Sequence, residues 1–337
     1  MMNELKEIKK MAVFRALQLG DMLCCIPAIR ALRSAYPSAK ITLLGLPWAA
    51  AFVERFDKYF DNFIHFPGYP CLHEQDFNES QFNAFLKIVQ NEKFDLVLQM
   101  QGNGTIVNPL MFEFGAKYVA GFYNDESFVE SPYFMPYPDY GPELRRHILL
   151  MDHMQIPLQG EHLEYPLTQK DQQDFDDLLL PVYPKSYICI HPGSRGRWRQ
   201  WPPKYFALIA DYCIEQGFTA VITGTVEERD ITSEVIKCMH HHAIDLTGQT
   251  NRGAMGVLIK NAFMLVANCT GVSHIADAFD TPSVIISMDG EPNRWAPLDE
   301  KIHRVIDWTK TSRFDNVLLQ TDILVKENTS AVVQLKK

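Results

Sequence analysis

The sequence predicts an α/β protein built from two doubly wound, parallel-sheet halves of Rossmann type. Three observations predict it. Short apolar runs alternate with segments of helical spacing, an order that calls for a parallel sheet covered on both faces. The alternation halts in a Pro- and Asp-marked stretch, 157–185, and then starts again. The polar and glycine-rich clusters that stand out all follow apolar runs, at the carboxyl ends where open α/β sheets bind ligands.

In order, MAVFRALQLG (11–20) is strand-like, PAIRALRSAYP (27–37) has helical spacing, and KITLLGL (40–46) is a second apolar strand. A helix is expected over 48–56, a short strand over 62–67, a helix over 80–93 and the strand FDLVLQMQG over 94–102. Residues 122–143, rich in Pro, Tyr and acids, break the pattern and read as a long ordered loop before a helix at 143–156. The second half restarts with the strand SYICIHPG (186–193). A helix over 202–217 follows, with Pro at its start and Gly at its end. Then come a strand (218–224), a helix (227–241), a short strand and turn (243–248), a helix (251–262), the strand FMLVAN (263–268), a helix (271–279) and the strand SVIIS (283–287). The boundary falls in the marked stretch, giving halves of 1–165 and 166–337.

Composition narrows the function. The chain has 337 residues, 47% hydrophobic and 22% charged, enough for two cores without staples. A net charge of −9 argues against a general nucleic-acid binder, which would show a basic domain. The seven cysteines include no C-x-x-C pair and sit mostly in apolar runs, as reduced core residues of a cytoplasmic protein do. No apolar signal-peptide core follows the charged N-terminus, and no run approaches ~18 uncharged apolar residues. His240-His241-His242 invites a metal reading, but consecutive helical residues point in different directions, so a solvated helix end is expected.

Five pieces now stand in one order: LQLGDMLCCIPAIRALRSAYPSAKITLLG, HPGSRGRWRQWPPKYFALIA, VITGTVEERD, DLTGQTNRGAMGVLIKNA and NCTGVSHIADAFDTPSV. They resemble glycosyltransferase family 9, the ADP-heptose:lipopolysaccharide heptosyltransferases, over about residues 11–297. The resemblance implies the GT-B fold: two Rossmann-like domains facing a cleft, acceptor in the first and nucleotide-sugar donor in the second. The final helix is expected to pack back on the first domain. Transfer inverts the anomeric carbon, with no catalytic metal and no resident cofactor, the ADP-sugar being a co-substrate. The partners implied are that donor and a glycan or glycolipid acceptor. Contact with the inner membrane would be peripheral, on its cytoplasmic face.

Each motif has a chemistry. Asp21, after Leu19-Gly20, matches the family's carboxylate that takes the acceptor proton; at that position it could equally cap the next helix. Gly20 is expected to let the backbone turn close to a ligand, and Gln101 and Asn103 to face acceptor hydroxyls, although 99–104 also reads as a plain turn. His191, Gly193 and Ser194 end the first strand of the second half, before three arginines in five residues, Arg195, Arg197 and Arg199. Arginine forks suit phosphate oxygens. Arg199, two residues before Trp201-Pro202, takes the place of a family lysine and is assigned to the diphosphate. Glu227 or Glu228 could bind ribose hydroxyls or simply suit the helix dipole, and Leu246, Thr247 and Gly248 are placed against the base. Thr270, Gly271, Ser273 and His274 put a helix N-terminus at the pyrophosphate. Cys269 departs from the pattern: the family has Asp there, associated with the donor's sugar hydroxyls, and a thiol is a weak hydrogen-bond partner.

The expected function is thus inverting transfer of a sugar, heptose from ADP-heptose, to a saccharide of lipopolysaccharide core or a related glycan. The alternatives are a GT-B-like sugar-nucleotide epimerase and a sugar-nucleotide-binding protein with impaired catalysis.

Overall fold

The computed structural model describes residues 4–125, 129 and 131–334. The chain divides into two compact units, Met1–Pro166 and Leu167–Lys337. The first contains β1 (Lys10–Phe14), α1 (Leu19–Ala35), β2 (Lys40–Gly45), α2 (Ala49–Arg55), β3 (Asn62–His65), α3 (Glu79–Glu92), β4 (Leu96–Gln99), α4 (Asn108–Glu113), β5 (Tyr118–Tyr123), β6 (Phe134–Pro136) and α5 (Glu143–His153). The second contains α6 (Gln169–Asp176), β7 (Tyr187–His191), α7 (Pro203–Glu215), β8 (Thr219–Ile222), α8 (Arg229–Cys238), β9 (Ile244–Asp245), α9 (Arg252–Asn261), β10 (Met264–Asn268), α10 (Gly271–Ala278), β11 (Ser283–Ser287), α11 (Pro292–Trp295), β12 (His303–Asp307) and α12 (Phe314–Gln334).

The two sheets have the same plan. The first runs β3-β2-β1-β4-β5-β6 and the second β12-β11-β10-β7-β8-β9, so each has six strands in the doubly wound order. All pairings are parallel, with Met11 beside both Ile41 and Leu96 in the first sheet and Cys189 beside Leu265 and Val221 in the second. Strands such as β7 and β10 are buried along their whole length because helices cover both faces. That is why they read as unbroken apolar runs.

Two expectations need correction. The first strand ends at Phe14, and α1 begins at Leu19 rather than near Pro27, which lies inside the helix. Every residue from Met22 to Ile29 is buried. A helix wrapped by protein on all sides shows no amphipathic period, so its first turns pass for strand. The loop expected at 122–143 contains β6, paired with β5 through Gly121 and Phe134; residues 126–128 and 130 of that stretch lie outside the described residues. The final helix buries Val317, Leu324 and Val325 in the core of the second unit, beside Trp201 and Ile286. Phe314 stacks on Trp201 at 6.2 Å and so directs α12 onto its own unit.

Among the described residues no helix is long and apolar enough to cross a membrane. Cys24, Cys25, Cys189, Cys213 and Cys269 are buried, Cys71 and Cys238 exposed, and all seven are free thiols.

Candidate functional site

In each sheet the strand order reverses once, between β1 and β4 and between β7 and β10. In such sheets the crevice for ligands opens at the carboxyl ends of those strands.

In the first unit that end is organised by Arg15, the residue after β1, which is completely buried. Its Nε and Nη2 donate to the backbone oxygen of Asp21 at 3.0 and 2.8 Å, and its Nη1 to that of Met100. Nη2 also lies 3.4 Å from Oε1 of Glu143, which opens α5 and is itself buried. Arg146 and His147, one turn on, face the same carboxylate at 3.5 and 3.4 Å. One guanidinium therefore ties the start of α1, the loop after β4 and the start of α5. Burial first, and the charge of Arg15 second, push the His147 imidazole down to about 4, so it is neutral at pH 7.

Asp21 sits in the first turn of α1, held by its backbone, while the N-cap position is Gln18. Asp21 is thus no cap. Gly20 lies inside the helix and is not among the left-handed glycines. What it offers a ligand is a missing side chain, not the turn expected of it. Gln101 uses its side-chain oxygen to accept the Ala16 N–H at 2.8 Å, which locks the loop after β4 to the loop after β1. Asn103 accepts from the Thr105 N–H at 3.2 Å and shapes its own turn.

In the second unit the organising residue is Asn268, the last of β10, which sequence reasoning missed. It is buried, accepts the Trp201 N–H at 2.9 Å and donates to the oxygens of Pro192 and Gly193 at 2.7 and 3.3 Å. It thereby pins both ends of the loop that carries Arg199. Trp201 anchors that loop from below, fully buried against Phe206 and Trp308. Arg199 stands at the edge, its side chain 31% exposed, over the Trp198 ring at 5.5 Å and in an ion pair with Asp289. Asp289, after β11, was also missed. Burial works against its charge, but the Ser287 hydroxyl, Arg199 and the Glu291 N–H outweigh it and hold the carboxyl below the usual range. Cys269 lies within the field of both; burial above all, then Asp289, pushes its thiol up to about 12, so it is neutral.

His191 is buried, with Nδ1 3.0 Å from the Thr223 hydroxyl and Nε2 4.0 Å from Glu228. Burial lowers its pKa and Glu228 offsets part of this. A Cβ at Gly193 would collide with the Glu228 carboxylate, so glycine there lets that carboxylate reach the end of β7. Glu228 also accepts the Thr225 N–H at 2.8 Å in a capping box. Ser194 is buried, and its backbone oxygen accepts from Gln200 at 3.0 Å.

At the head of α10, Thr270 is the N-cap by position, yet its side chain caps nothing and its buried Oγ1 has no hydrogen-bond partner. Gly271 is the first residue of the helix. The Ser273 hydroxyl donates to the Thr270 oxygen at 2.6 Å, so it braces the helix start rather than offering a free donor. His274 is buried, edge-on to Trp295 at 6.5 Å. Leu246, Thr247 and Gly248 form the turn after β9; Gly248, at φ 71°, donates its N–H to Gly224, and the buried Thr247 hydroxyl is without a partner.

Other candidates stand apart. Arg195 and Glu227 are exposed, and Arg197, 91% exposed, reaches only toward Asp230 at 4.0 Å. Among the three arginines, Arg199 alone has an ion partner that is buried. Asp211 accepts the backbone N–H groups of His240 and His241, an ordinary helix end. Among the described residues no group of three His, Cys, Asp or Glu could hold a metal ion.

Two doubly wound parallel sheets, with a carboxylate in the first turn after β1 and an arginine and a helix N-terminus at the second switch point, make an α/β chain of GT-B architecture. The chain belongs to glycosyltransferase family 9 (heptosyltransferase), whose model matches residues 82–317. It is 27% identical over 187 residues to lipooligosaccharide heptosyltransferase 2 of Haemophilus ducreyi, an alignment spanning 50% of this chain and 54% of that relative. The chain thus spans about half the length of that curated relative. In fold it is similar to a family 9 glycosyl transferase from Veillonella parvula, with a TM-score of 0.78 at 17% identity over 96% of this chain and 99% of that one. The ADP-heptose lipopolysaccharide heptosyltransferase II of E. coli gives 0.75 at 17% identity, over 96% and 100%.

Proposed function

We propose that the protein is an inverting glycosyltransferase that moves heptose from ADP-heptose to a saccharide of lipopolysaccharide core or a related glycan, in the cytoplasm and without a metal. The Asp21 carboxylate takes the proton of the acceptor hydroxyl as that oxygen bonds to the anomeric carbon. The bond from that carbon to the β-phosphate oxygen breaks, and ADP departs with the electron pair. Attack opposite the leaving group inverts the centre. Arg199 and the N-terminus of α10 supply the positive field for the diphosphate. His191, Gly193, Glu228, Thr247 and Thr270 line the donor's path.

The observation that carries this reading is the uncommitted, buried Thr270 hydroxyl at the head of α10, in a member of this family that also holds a part-exposed arginine, Arg199, on the loop after β7. The test is product analysis by mass spectrometry, with ADP-heptose and a heptose-deficient core saccharide, with and without a chelator. A new glycosidic product with inverted linkage, formed equally in chelator, is expected. An epimerised sugar formed without acceptor would sink transfer in favour of epimerisation, and loss of activity on chelation would sink the metal-free mechanism.

A further inference from the structure

We propose that Asp289 is the carboxylate that reads the hydroxyls of the donor sugar; this rests on the reading above and deepens it. The argument starts from what surrounds that carboxylate. Asp289 is 5% exposed at its side chain. Oδ1 is committed within its own loop, accepting the Ser287 hydroxyl at 2.8 Å and the Glu291 N–H at 3.3 Å. Oδ2 accepts from Arg199 Nη2. One oxygen is thus fixed by its own loop, and the other is satisfied by a side chain of the loop after β7 that is one-third exposed.

Arginine 199 is also the cation best placed for a diphosphate. When its fork turns to phosphate oxygens, Oδ2 loses its donor, and a buried carboxylate oxygen without a donor is costly. The entering ligand brings the replacement. In a sugar nucleotide the sugar's C1 is bonded to a phosphate oxygen, so hydroxyl donors arrive beside the group that takes Arg199 away. The exchange leaves every charge paired: guanidinium to phosphate, carboxylate to sugar hydroxyls.

Position 269 sets the other half of the argument. Cys269 donates its N–H to the Ile286 oxygen at 3.0 Å, so the ends of β10 and β11 lie side by side, and the thiol shares its field with Asp289 and Arg199. A chain with a neutral thiol at the end of β10 carries its carboxylate one strand over, at the end of β11. The ligand class is an aldose joined at C1 to a nucleoside diphosphate, with hydroxyls turned toward β11.

The experiment compares affinities for ADP, ADP-heptose and ADP-glucose by calorimetry in four proteins: unmutated, Asp289→Asn, Asp289→Ala, and Asp289→Ala combined with Cys269→Asp, each checked by circular dichroism. Asp289→Asn should leave ADP affinity within about threefold and cut the extra affinity conferred by the sugar by tenfold or more, the scale of a hydrogen bond to a charged group. Returning a carboxylate at 269 should restore most of that increment. Equal weakening of ADP and ADP-sugars by Asp289→Asn would show that Asp289 only holds Arg199 and would overturn the inference. So would an unmutated protein that binds ADP and both ADP-sugars alike, or a folded double variant no better than Asp289→Ala alone. A transfer assay that stays blank while the sugar increment still responds to Asp289 sinks the transferase reading and leaves this inference standing.

Discussion

The two switch points hold an arginine in opposite ways. Arg15 is wholly buried, and its fork is spent on two backbone oxygens and the buried Glu143. Arg199 is one-third exposed, with Asp289 as its ion partner. A guanidinium whose donors are spent inside the fold can only position its neighbours. One with donors to spare can bind. The first unit therefore uses its arginine to fix where Asp21 stands, while the second leaves part of its arginine's fork open at the surface.

The largest expected effect tests the group that Arg15 positions. Asp21→Ala should cut turnover by roughly 10²–10⁴-fold, the usual span for a lost general base, with ADP affinity nearly unchanged. Steady-state kinetics beside calorimetry reads both, and full turnover in the variant would remove Asp21 from the mechanism. Next comes acid. The folded-state pKa of His147, about 4, lies below its ordinary value of about 6.5. The stability it contributes is therefore present above pH ~6.5 and lost as pH falls toward ~4, to the extent of about 3 kcal/mol. Urea titrations at pH 7, 5.5 and 4.5 should show this loss in the unmutated protein and a flatter profile in His147→Gln; an identical profile would mean that the charge network is not what acid attacks. The smallest effect belongs to the exposed arginine. Arg199→Ala should weaken ADP binding by about 1.5–3 kcal/mol with little change in unfolding free energy, whereas Arg15→Ala should destabilise the fold by about 3–5 kcal/mol. If the two arginines exchanged these signatures, the contrast drawn here would fail.

What the sequence made legible follows the same division. Strands such as SYICIHPG and FMLVAN were readable because burial on both faces leaves no polar residue to blur them. Thr270, Gly271 and His274 stand out because one short motif contains them, and the fold gathers that motif at the head of α10. Arg15, Glu143, Asn268 and Asp289 do not, for their meaning depends on which strands become neighbours. Arg199 and Asp289 are 90 residues apart, and no local pattern says that β11 will lie beside β10. Arg15 interrupts the otherwise apolar run MAVFRALQLG. A signal was there: a charge in the first buried strand of a parallel sheet demands a partner.

The strand pairs that make each switch point also bear on how the chain is synthesised. The loops after β1 and β4 meet across 85 residues, at Ala16 and Gln101, and the loop after β7 meets the end of β10 across 76, at Pro192 and Asn268. Pairings of such separation close slowly, because chain entropy is lost before the contact rewards it. Until Gln101 has left the ribosome, β1 can pair on one side only, and its other edge stays open to any passing strand. The same exposure recurs for β7 until Asn268 emerges. Each nascent unit thus spends part of its synthesis with the central strand of its sheet as an unpaired apolar edge, the stage at which a chaperone would have most to protect.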